Sequence, residues 1–376
     1  MIETAMRIEI SDRLESAIMT AAKLAPPRGP RPELQHLTLI ESDQGSKLGA
    51  SDGELTMSYR FDADPRPRRV ARIPAHRVAQ ILRLQDGTST LEVDGGSCVI
   101  VGDGCRFELV AQELPDACSI PRYEWEDGES LTIEPEILTE LVQLVAYAAS
   151  REQTRFNMQA IRLELSAGKL EAIATDGKRL ALASIKIDTA AELEAQVSAL
   201  GLAAAVKVLG DLAPNERVEV KLAESMLILR AGDLELSLLT GSTKFAPFRS
   251  VIPSSSKYQV EFDRLDLMQA LKLASLVNTR ESIAIRMRFA STGVTISSNV
   301  ADVGSSAVEL PAMSIEADLE LGFNPSLVVE GLRACSCSSV LFAFSNADSA
   351  AVITCAESVE GRPDLLYVLM PINLGS

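Results

Sequence analysis

Apolar and polar positions repeat three times along the chain, in the same order each time. Each copy opens with a short alternating stretch, typical of a strand with one buried face, and continues into an Ala- and Leu-rich stretch of helical periodicity. The copies are MRIEISDRLESAIMTAAKLA from Met6, LTIEPEILTELVQLVAYAAS from Leu131 and YQVEFDRLDLMQALKLASLV from Tyr258. Because these starts lie 125 and 127 residues apart, the repeating unit has the size of a domain.

A second helix and several strands also recur within each copy. The second helices are IPAHRVAQILRL from Ile73, ALGLAAAVKVLGDL from Ala199 and FNPSLVVEGLRAC from Phe323. Alternating stretches such as RVEVKLAESMLILRAGDLELSLL follow them. This pattern predicts an α+β fold of three similar domains, each with two helices packed on antiparallel sheets.

Two stretches without periodicity separate the copies. Residues 114–130 and 245–258 are rich in proline, serine or acidic side chains, as linkers are. We therefore expect three domains, at residues 1–125, 126–252 and 253–376.

Composition narrows the class of protein. The chain has 376 residues, 47% of them hydrophobic, which is ample for several cores. Its net charge of -16 argues against a surface that grips nucleic acid everywhere, but it leaves room for a local basic face. There is no run of about 18 uncharged apolar residues and no signal-peptide pattern, so we expect a cytoplasmic protein without a membrane span.

Catalytic and metal-binding motifs are absent from the sequence. It has no GxSxG, no HExxH and no GxGxxG after a strand, and an enzyme of another type would need polar groups converging in a pocket. The six cysteines have no CxxC spacing and lie far in sequence from the two histidines. We expect no enzyme, no cofactor and no zinc site, with the cysteines acting as small apolar side chains.

The stretch ATDGKRL contains Gly177-Lys178, a pair that also ends phosphate-binding loops. Such a loop needs a glycine five residues before the pair and a hydroxyl residue after it, but Ala172 and Arg179 stand there. Asp-Gly between two alternating stretches instead predicts a tight hairpin turn, and ASDGEL from Ala50 predicts a similar one.

The three repeats, the ATDGKRLAL turn, the KFAPFRSVIP stretch and the closing YVLMPINL together resemble the bacterial DNA polymerase III β sliding clamps. The resemblance covers essentially the whole chain. It implies a non-enzymatic processivity factor that encircles double-stranded DNA as a head-to-tail homodimer, without sequence preference. The implied partners are DNA polymerase III, a clamp loader and other replication and repair proteins. The alternative is a clamp paralogue that serves as a protein-interaction platform without encircling DNA.

The resemblance also implies three sets of site residues. A partner-peptide cleft would contain Met158, Thr175, Gly177, Lys178, Arg179, Leu180, Val251, Val368, Leu369, Met370, Pro371, Ile372 and Leu374. Residues facing DNA would be Arg31, Arg83, Arg155, Phe156, Asn157 and Lys207. The dimer interface would contain Arg77, Arg106, Phe107, Leu109, Ser275 and Leu276.

Some positions depart from the family pattern. Ala246, Ser250 and Asn373 replace residues that are frequent in the family cleft, so the partner preference is expected to differ. Where the family often carries acidic residues near the dimer contact, this chain has ADVGSSAVEL. We therefore expect the dimer to depend on apolar burial and strand pairing more than on ion pairs.

Overall fold

The computed structural model describes residues 5–43, 45–62, 67–85, 87–102, 104–115, 130–152, 156–223, 225–311 and 318–374. The helices in these ranges are α1 (Asp12–Leu24), α2 (Ala75–Arg83), α3 (Pro135–Ala146), α4 (Ala199–Leu212), α5 (Arg264–Ala274) and α6 (Pro325–Ala334).

The strands follow in chain order, beginning with β1 (Met6–Ile10), β2 (His36–Glu41), β3 (Ser46–Ser51), β4 (Leu55–Phe61), β5 (Arg69–Pro74), β6 (Ser89–Asp94), β7 (Ser97–Gly102), β8 (Cys105–Val110) and β9 (Gln112–Leu114). The middle strands are β10 (Leu131–Ile133), β11 (Ala160–Ser166), β12 (Lys169–Thr175), β13 (Arg179–Lys186), β14 (Leu193–Ser198), β15 (Val218–Ala223), β16 (Met226–Ala231) and β17 (Leu234–Leu239). The last strands are β18 (Tyr258–Asp263), β19 (Ile285–Ala290), β20 (Gly293–Val300), β21 (Gly304–Leu310), β22 (Leu319–Phe323), β23 (Ser339–Phe344), β24 (Ala351–Cys355) and β25 (Asp364–Leu369).

The chain forms two compact units. The first comprises Met1–Thr139 and Leu200–Thr240, and the second comprises Glu140–Ala199 and Gly241–Ser376. The middle repeat contributes strands to both units, so the units do not coincide with the sequence repeats. The division at 1–125, 126–252 and 253–376 stays a prediction.

The first unit is built on two antiparallel sheets. One has the strand order β1-β6-β7-β8, and the other has the order β10-β15-β16-β17-β4-β3-β2-β5-β9. Helix α1 starts where the Ser11 hydroxyl accepts a 3.3 Å hydrogen bond from the Leu14 amide, a side-chain cap for an otherwise unpaired amide. Leu14, Ile18 and Ala21 then bury one face of the helix at helical spacing.

The second unit has an eight-stranded sheet with the order β14-β11-β12-β13-β25-β24-β23-β18 and a four-stranded sheet with the order β21-β20-β19-β22. Its core is aromatic, with the rings of Phe289 and Phe344 4.3 Å apart and the ring of Phe342 6.0 Å from each of them. Helix α6 approaches β25 closely at Gly331, where a Cβ atom would lie 2.2 Å from the Tyr367 ring. Only glycine fits there without a shift in the ring.

The α+β fold class, with two helices for each sequence repeat, is confirmed. Both Asp-Gly stretches form hairpin turns, between β3 and β4 and between β12 and β13. None of the described helices is long and apolar enough to cross a membrane.

Candidate functional site

The turn between β12 and β13 is fixed by its own side chains. The Thr175 hydroxyl donates to the Arg179 carbonyl oxygen (2.6 Å) and accepts from the Gly177 amide (3.1 Å). Asp176 Oδ1 accepts from the amides of Lys178 (2.9 Å) and Arg179 (3.1 Å). Gly177 has φ +85°, a region that favours glycine. Thr175, Asp176 and Gly177 thus each stabilise the conformation of the turn.

Arg179 is buried in the wall behind this turn, with 8% of its surface exposed. Its guanidinium donates to Asp176 Oδ2 (3.1 Å), Glu330 Oε2 (2.5 Å) and the Tyr147 carbonyl oxygen (2.7 Å). Burial by itself lowers the pKa of Arg179, but the hydrogen bond to Glu330 and the neighbouring Tyr367 raise it above the usual arginine value. Arg179 is therefore held inside the site by its hydrogen-bond partners, while the neighbouring Lys178 is exposed.

Strand pairing joins the turn to the end of the chain. In the β13–β25 ladder Arg179 lies opposite Leu369 and Leu180 opposite Val368. The Met370 amide then donates to the Lys178 carbonyl oxygen (2.9 Å), and the Ile372 amide to the Gly322 carbonyl oxygen (2.8 Å). The structure therefore brings together the two segments that the sequence predicted as one site.

An apolar cluster lies beneath these segments. Its buried members are Ile173, Leu180, Leu182, Phe245, Phe248 and Val368, and Ile252, Val352 and Leu366 pack against it. Val251 precedes Ile252 in the chain, Met370 follows Leu369, and these two side chains remain 42% and 41% exposed. Exposed apolar side chains that adjoin an apolar cluster in the chain suit a partner's apolar side chain.

The stretch that carries Val251 is held to the sheet by Arg249. Its Nη2 donates to Glu171 Oε2 (2.9 Å) and also to Glu164. Burial raises the pKa of Glu171, but hydrogen bonds from Lys169 and Arg249 outweigh it and leave that pKa below its usual value. The Arg249 guanidinium also covers the Phe248 ring, 4.9 Å from its centroid.

The remaining predicted cleft residues lie around this group. Gly177 faces Met158, whose Cε would lie 3.8 Å from a Cβ at that glycine. Leu374 packs against Gly322, and Pro371, Ile372 and Leu374 are half-buried. Leu369 and Thr175 are buried.

The residues predicted to face DNA divide into exposed and half-buried sets. Arg31, Arg83 and Lys207 are exposed in the first unit. Phe156 and Asn157 are half-buried in the second unit, where the backbone amide of Asn157 donates to the Lys244 carbonyl oxygen (3.2 Å). Arg155 lies outside the described residues.

The predicted dimer residues lie on the edge strand β8, on α2 and directly after α5. Among the described residues β8 pairs with β7 alone, and it carries the exposed Arg106 and Phe107 and the half-buried Leu109. Arg77 is exposed on α2. In the second unit Leu276 is 77% exposed after α5, next to the half-buried Ser275. Exposed apolar side chains at an unpaired edge are typical of an interface.

Family models match most of the second and third repeats. The model of the DNA polymerase III beta subunit central domain matches residues 132–241, and that of its C-terminal domain matches residues 249–373. The chain belongs to the DNA polymerase III beta subunit family. The resemblance found from the motifs is thereby confirmed.

Relatives of this family match almost the full length. The beta sliding clamp of Chlamydia muridarum is 26% identical over 377 residues, covering 98% of this chain and 99% of the relative. A sliding clamp structure from Pseudomonas aeruginosa, bound to griselimycin, has a TM-score of 0.89 at 21% identity and covers 98% of this chain and 100% of its own. The beta subunit from Thermotoga maritima has a TM-score of 0.88 at 21% identity, with the same coverage. These structures show that the fold is shared.

The sequence did not reveal the residues that support the site. The Phe245 and Phe248 rings meet edge to face, 6.1 Å apart, and the KFAPFR stretch at the start of the predicted 245–258 linker was a signal for them. Tyr147 and Glu330 hold Arg179 from distant parts of the chain, and no local pattern marks them. The cysteine expectation holds for buried Cys98 but is wrong for Cys337 and Cys355, which form a disulfide. Cys118 lies outside the described residues.

Proposed function

We propose that the protein is a DNA sliding clamp, a processivity factor that closes around duplex DNA and tethers replication proteins through the cleft described above. The proposal rests on family membership and on a fold shared over nearly the whole chain. Its central observation is that the ATDGKRL turn and the VLMPINL tail lie side by side, in one ladder, over an apolar floor.

The cleft suits a short linear peptide. Val251 and Met370 offer exposed apolar contacts, and Lys178, whose carbonyl oxygen accepts a hydrogen bond from the Met370 amide, offers a positive charge. Burying two apolar anchors of such a peptide contributes roughly 3 to 6 kcal/mol, before the cost of ordering the peptide and the gain from backbone contacts. Partners of this kind would include DNA polymerase III, a clamp loader and other replication or repair proteins.

The ring would form from two chains arranged head to tail. Each contact would join the β8 edge of one copy to the region around Leu276 of the other, and two such contacts close a ring. Exposed Phe107 and Leu276 supply apolar area at these edges. Apolar burial and strand pairing would then support the dimer without many ion pairs.

A ring retains DNA by topology, so strong attraction to phosphates is unnecessary. A net charge of -16 would discourage unspecific binding on the outside, while cations such as Arg83 and Lys207 could face the DNA. We place the protein in the cytoplasm, where replication takes place in bacteria, and assign it no catalytic activity.

Retention on DNA tests this function. The protein is loaded on closed circular DNA with its loader, and the bound fraction is measured as salt is raised and after the circle is cut. A clamp should withstand salt that removes ordinary phosphate binders, and it should slide off the linear product. Equal retention on circular and linear DNA would contradict the proposal, and a chain that binds partner peptides but never DNA would favour the interaction platform instead.

A further inference from the structure

Three cysteines meet at one end of the β23–β24 hairpin in the second unit. Cys335 directly follows α6, Cys337 precedes β23, and Cys355 is the last residue of β24. Because Val340 pairs with Cys355, the hairpin returns Cys355 to the chain segment that contains the other two. The three sulfur atoms lie within 4.8 Å of one another. The sequence shows only Cys-Ser-Cys here, since the third cysteine comes 18 residues later.

The three side chains differ in state and in access to solvent. Cys337 and Cys355 are half-buried and joined in a disulfide. Cys335 is a buried free thiol whose Sγ lies 3.5 Å from the Gly331 carbonyl oxygen. Burial raises the pKa of Cys335 to about 11, and the charge of Arg264 opposes that rise. A reductant therefore reaches the disulfide from solvent, while Cys335 stays behind it.

In a reducing compartment the disulfide is expected to be open for much of the time. Reduction would free the sulfurs of Cys337 and Cys355 beside Cys335. Zinc–sulfur bonds of about 2.3 Å need neighbouring sulfurs about 4 Å apart, and the three sulfurs already lie within 4.8 Å of one another. Thiolate sulfur selects zinc and similar soft cations over magnesium and calcium. The second unit contains no histidine, so sulfur is the donor that this group offers.

We propose that, when reduced, Cys335, Cys337 and Cys355 bind one thiophilic cation of the Zn²⁺ class. Solvent or an external thiol completes the coordination on the half-buried side. The Arg264 Nε donates to the Cys337 carbonyl oxygen (2.7 Å), which holds a positive charge beside the three thiolates. Disulfide formation removes two of the three ligands, so cation binding and oxidation exclude each other. This site goes beyond the clamp function and does not depend on ring closure.

The test compares one protein in two redox states. The full chain is divided into untreated and phosphine-reduced samples, freed of reductant without air, and titrated with Cd²⁺ while thiolate-to-metal charge-transfer absorption is recorded. Zn²⁺ affinity is measured in competition with a coloured chelator. The reduced protein should bind one equivalent, and the disulfide form should bind none at this site.

Variants assign the ligands. Cys335→Ser and Cys355→Ser should each lower the affinity of the reduced protein more than about tenfold, because each loses one thiolate. Cys105→Ser changes a half-buried cysteine of the first unit and should leave the cation affinity of the reduced protein unchanged. Circular dichroism confirms that each sample is folded. A reduced wild-type protein that is folded yet binds no cation overturns the proposal, as does wild-type affinity in Cys335→Ser.

Discussion

Glu330 on α6 accepts a 2.5 Å hydrogen bond from the Arg179 guanidinium, although 151 residues separate the two in the chain. Arg179 lies in the wall of the proposed cleft, and its other donors go to Asp176 and to the Tyr147 carbonyl oxygen. The guanidinium also lies 5.3 Å from the Tyr147 ring centroid. Arg179 therefore joins the hairpin turn, the end of α3 and the middle of α6 through one buried charge.

Glu330→Gln should destabilise the second unit, because it removes the charge partner of a buried guanidinium. We expect a loss of about 1 to 3 kcal/mol in the free energy of unfolding, since Asp176 remains as a second acceptor and Glu330 is partly solvated. The measurement is urea unfolding. The matched control is Glu320→Gln, because Glu320 has the same 41% side-chain exposure but pairs with Arg286, whose side chain is 43% exposed, whereas that of Arg179 is 8% exposed. For Glu320→Gln the loss in the free energy of unfolding should be about 0 to 1 kcal/mol. Equal losses in the two variants would show that the burial of Arg179 does not strengthen its pairing with Glu330.

Because of the buried Cys98 thiol, we expect the folded protein to lose stability at alkaline pH. Complete burial raises the pKa of this thiol to about 12, well above its ordinary value of about 9. Between these two values the unfolded chain releases the proton while the folded chain retains it, so stability is full below about pH 9 and declines as the pH rises toward 12. Chemical unfolding of reduced protein at several pH values should show a shallower decline in Cys98→Ala than in wild type. Parallel declines would mean that Cys98 does not contribute to the pH dependence.

The turn of the site could be predicted from sequence because its structure depends on neighbouring residues. ASDGEL and ATDGKRL were similar as sequences, and their hydrogen bonds are also similar. Gly53 donates its amide to the Ser51 hydroxyl (3.1 Å), as Gly177 does to Thr175. Asp52 Oδ1 accepts the amides of Glu54 and Leu55 at 2.8 Å, the same arrangement as at Asp176.

Contacts between distant segments could not be predicted in this way. Periodicity indicates that β4 and β17 are strands, but the neighbouring sequence does not indicate that Leu236 pairs with Met57. This pairing places a strand of the middle repeat in the sheet of the first repeat. The burial of Arg179 depends on Glu330 for the same reason. The family resemblance implied that the ATDGKRL turn and the tail belong to one cleft, but the pairing of β13 with β25 was not predicted, because the hydrophobic pattern alone leaves strand partners open.

Phe107→Ala should weaken the dimer. Phe107 is 40% exposed on the edge strand β8, and the proposed ring buries it against a second copy. Light scattering of the wild type should give about twice the chain mass of 40.4 kDa. On dilution, the variant should dissociate to monomer at a higher protein concentration than the wild type does. Leu200→Ala removes an exposed leucine from α4 and serves as the control, with no expected change in mass. A wild-type chain that stays monomeric at micromolar concentration would rule out the ring.

Substitutions in the cleft should abolish peptide binding while leaving the dimer intact. Leu180 is a poor choice for this test, because it is 1% exposed and an aspartate there would place a charge in the apolar cluster and disrupt the sheet. Val251→Asp and Met370→Asp change exposed side chains instead. A peptide with leucine and phenylalanine anchors should bind the wild type with micromolar-order affinity. Each variant should lose more than about tenfold, since one anchor contact is worth roughly 1.5 to 3 kcal/mol.

The control for this experiment is Val359→Asp, which introduces the same charge at an exposed valine elsewhere in the second unit. Its affinity for the peptide should equal that of the wild type, and the solution mass of all three variants should remain that of the dimer. Removing the tail from Met370 onward should abolish binding as well, because the Met370 and Ile372 amides anchor the tail beside Lys178 and Gly322. If Val251→Asp, Met370→Asp and the truncated chain all retain wild-type affinity, partner peptides dock at a different surface.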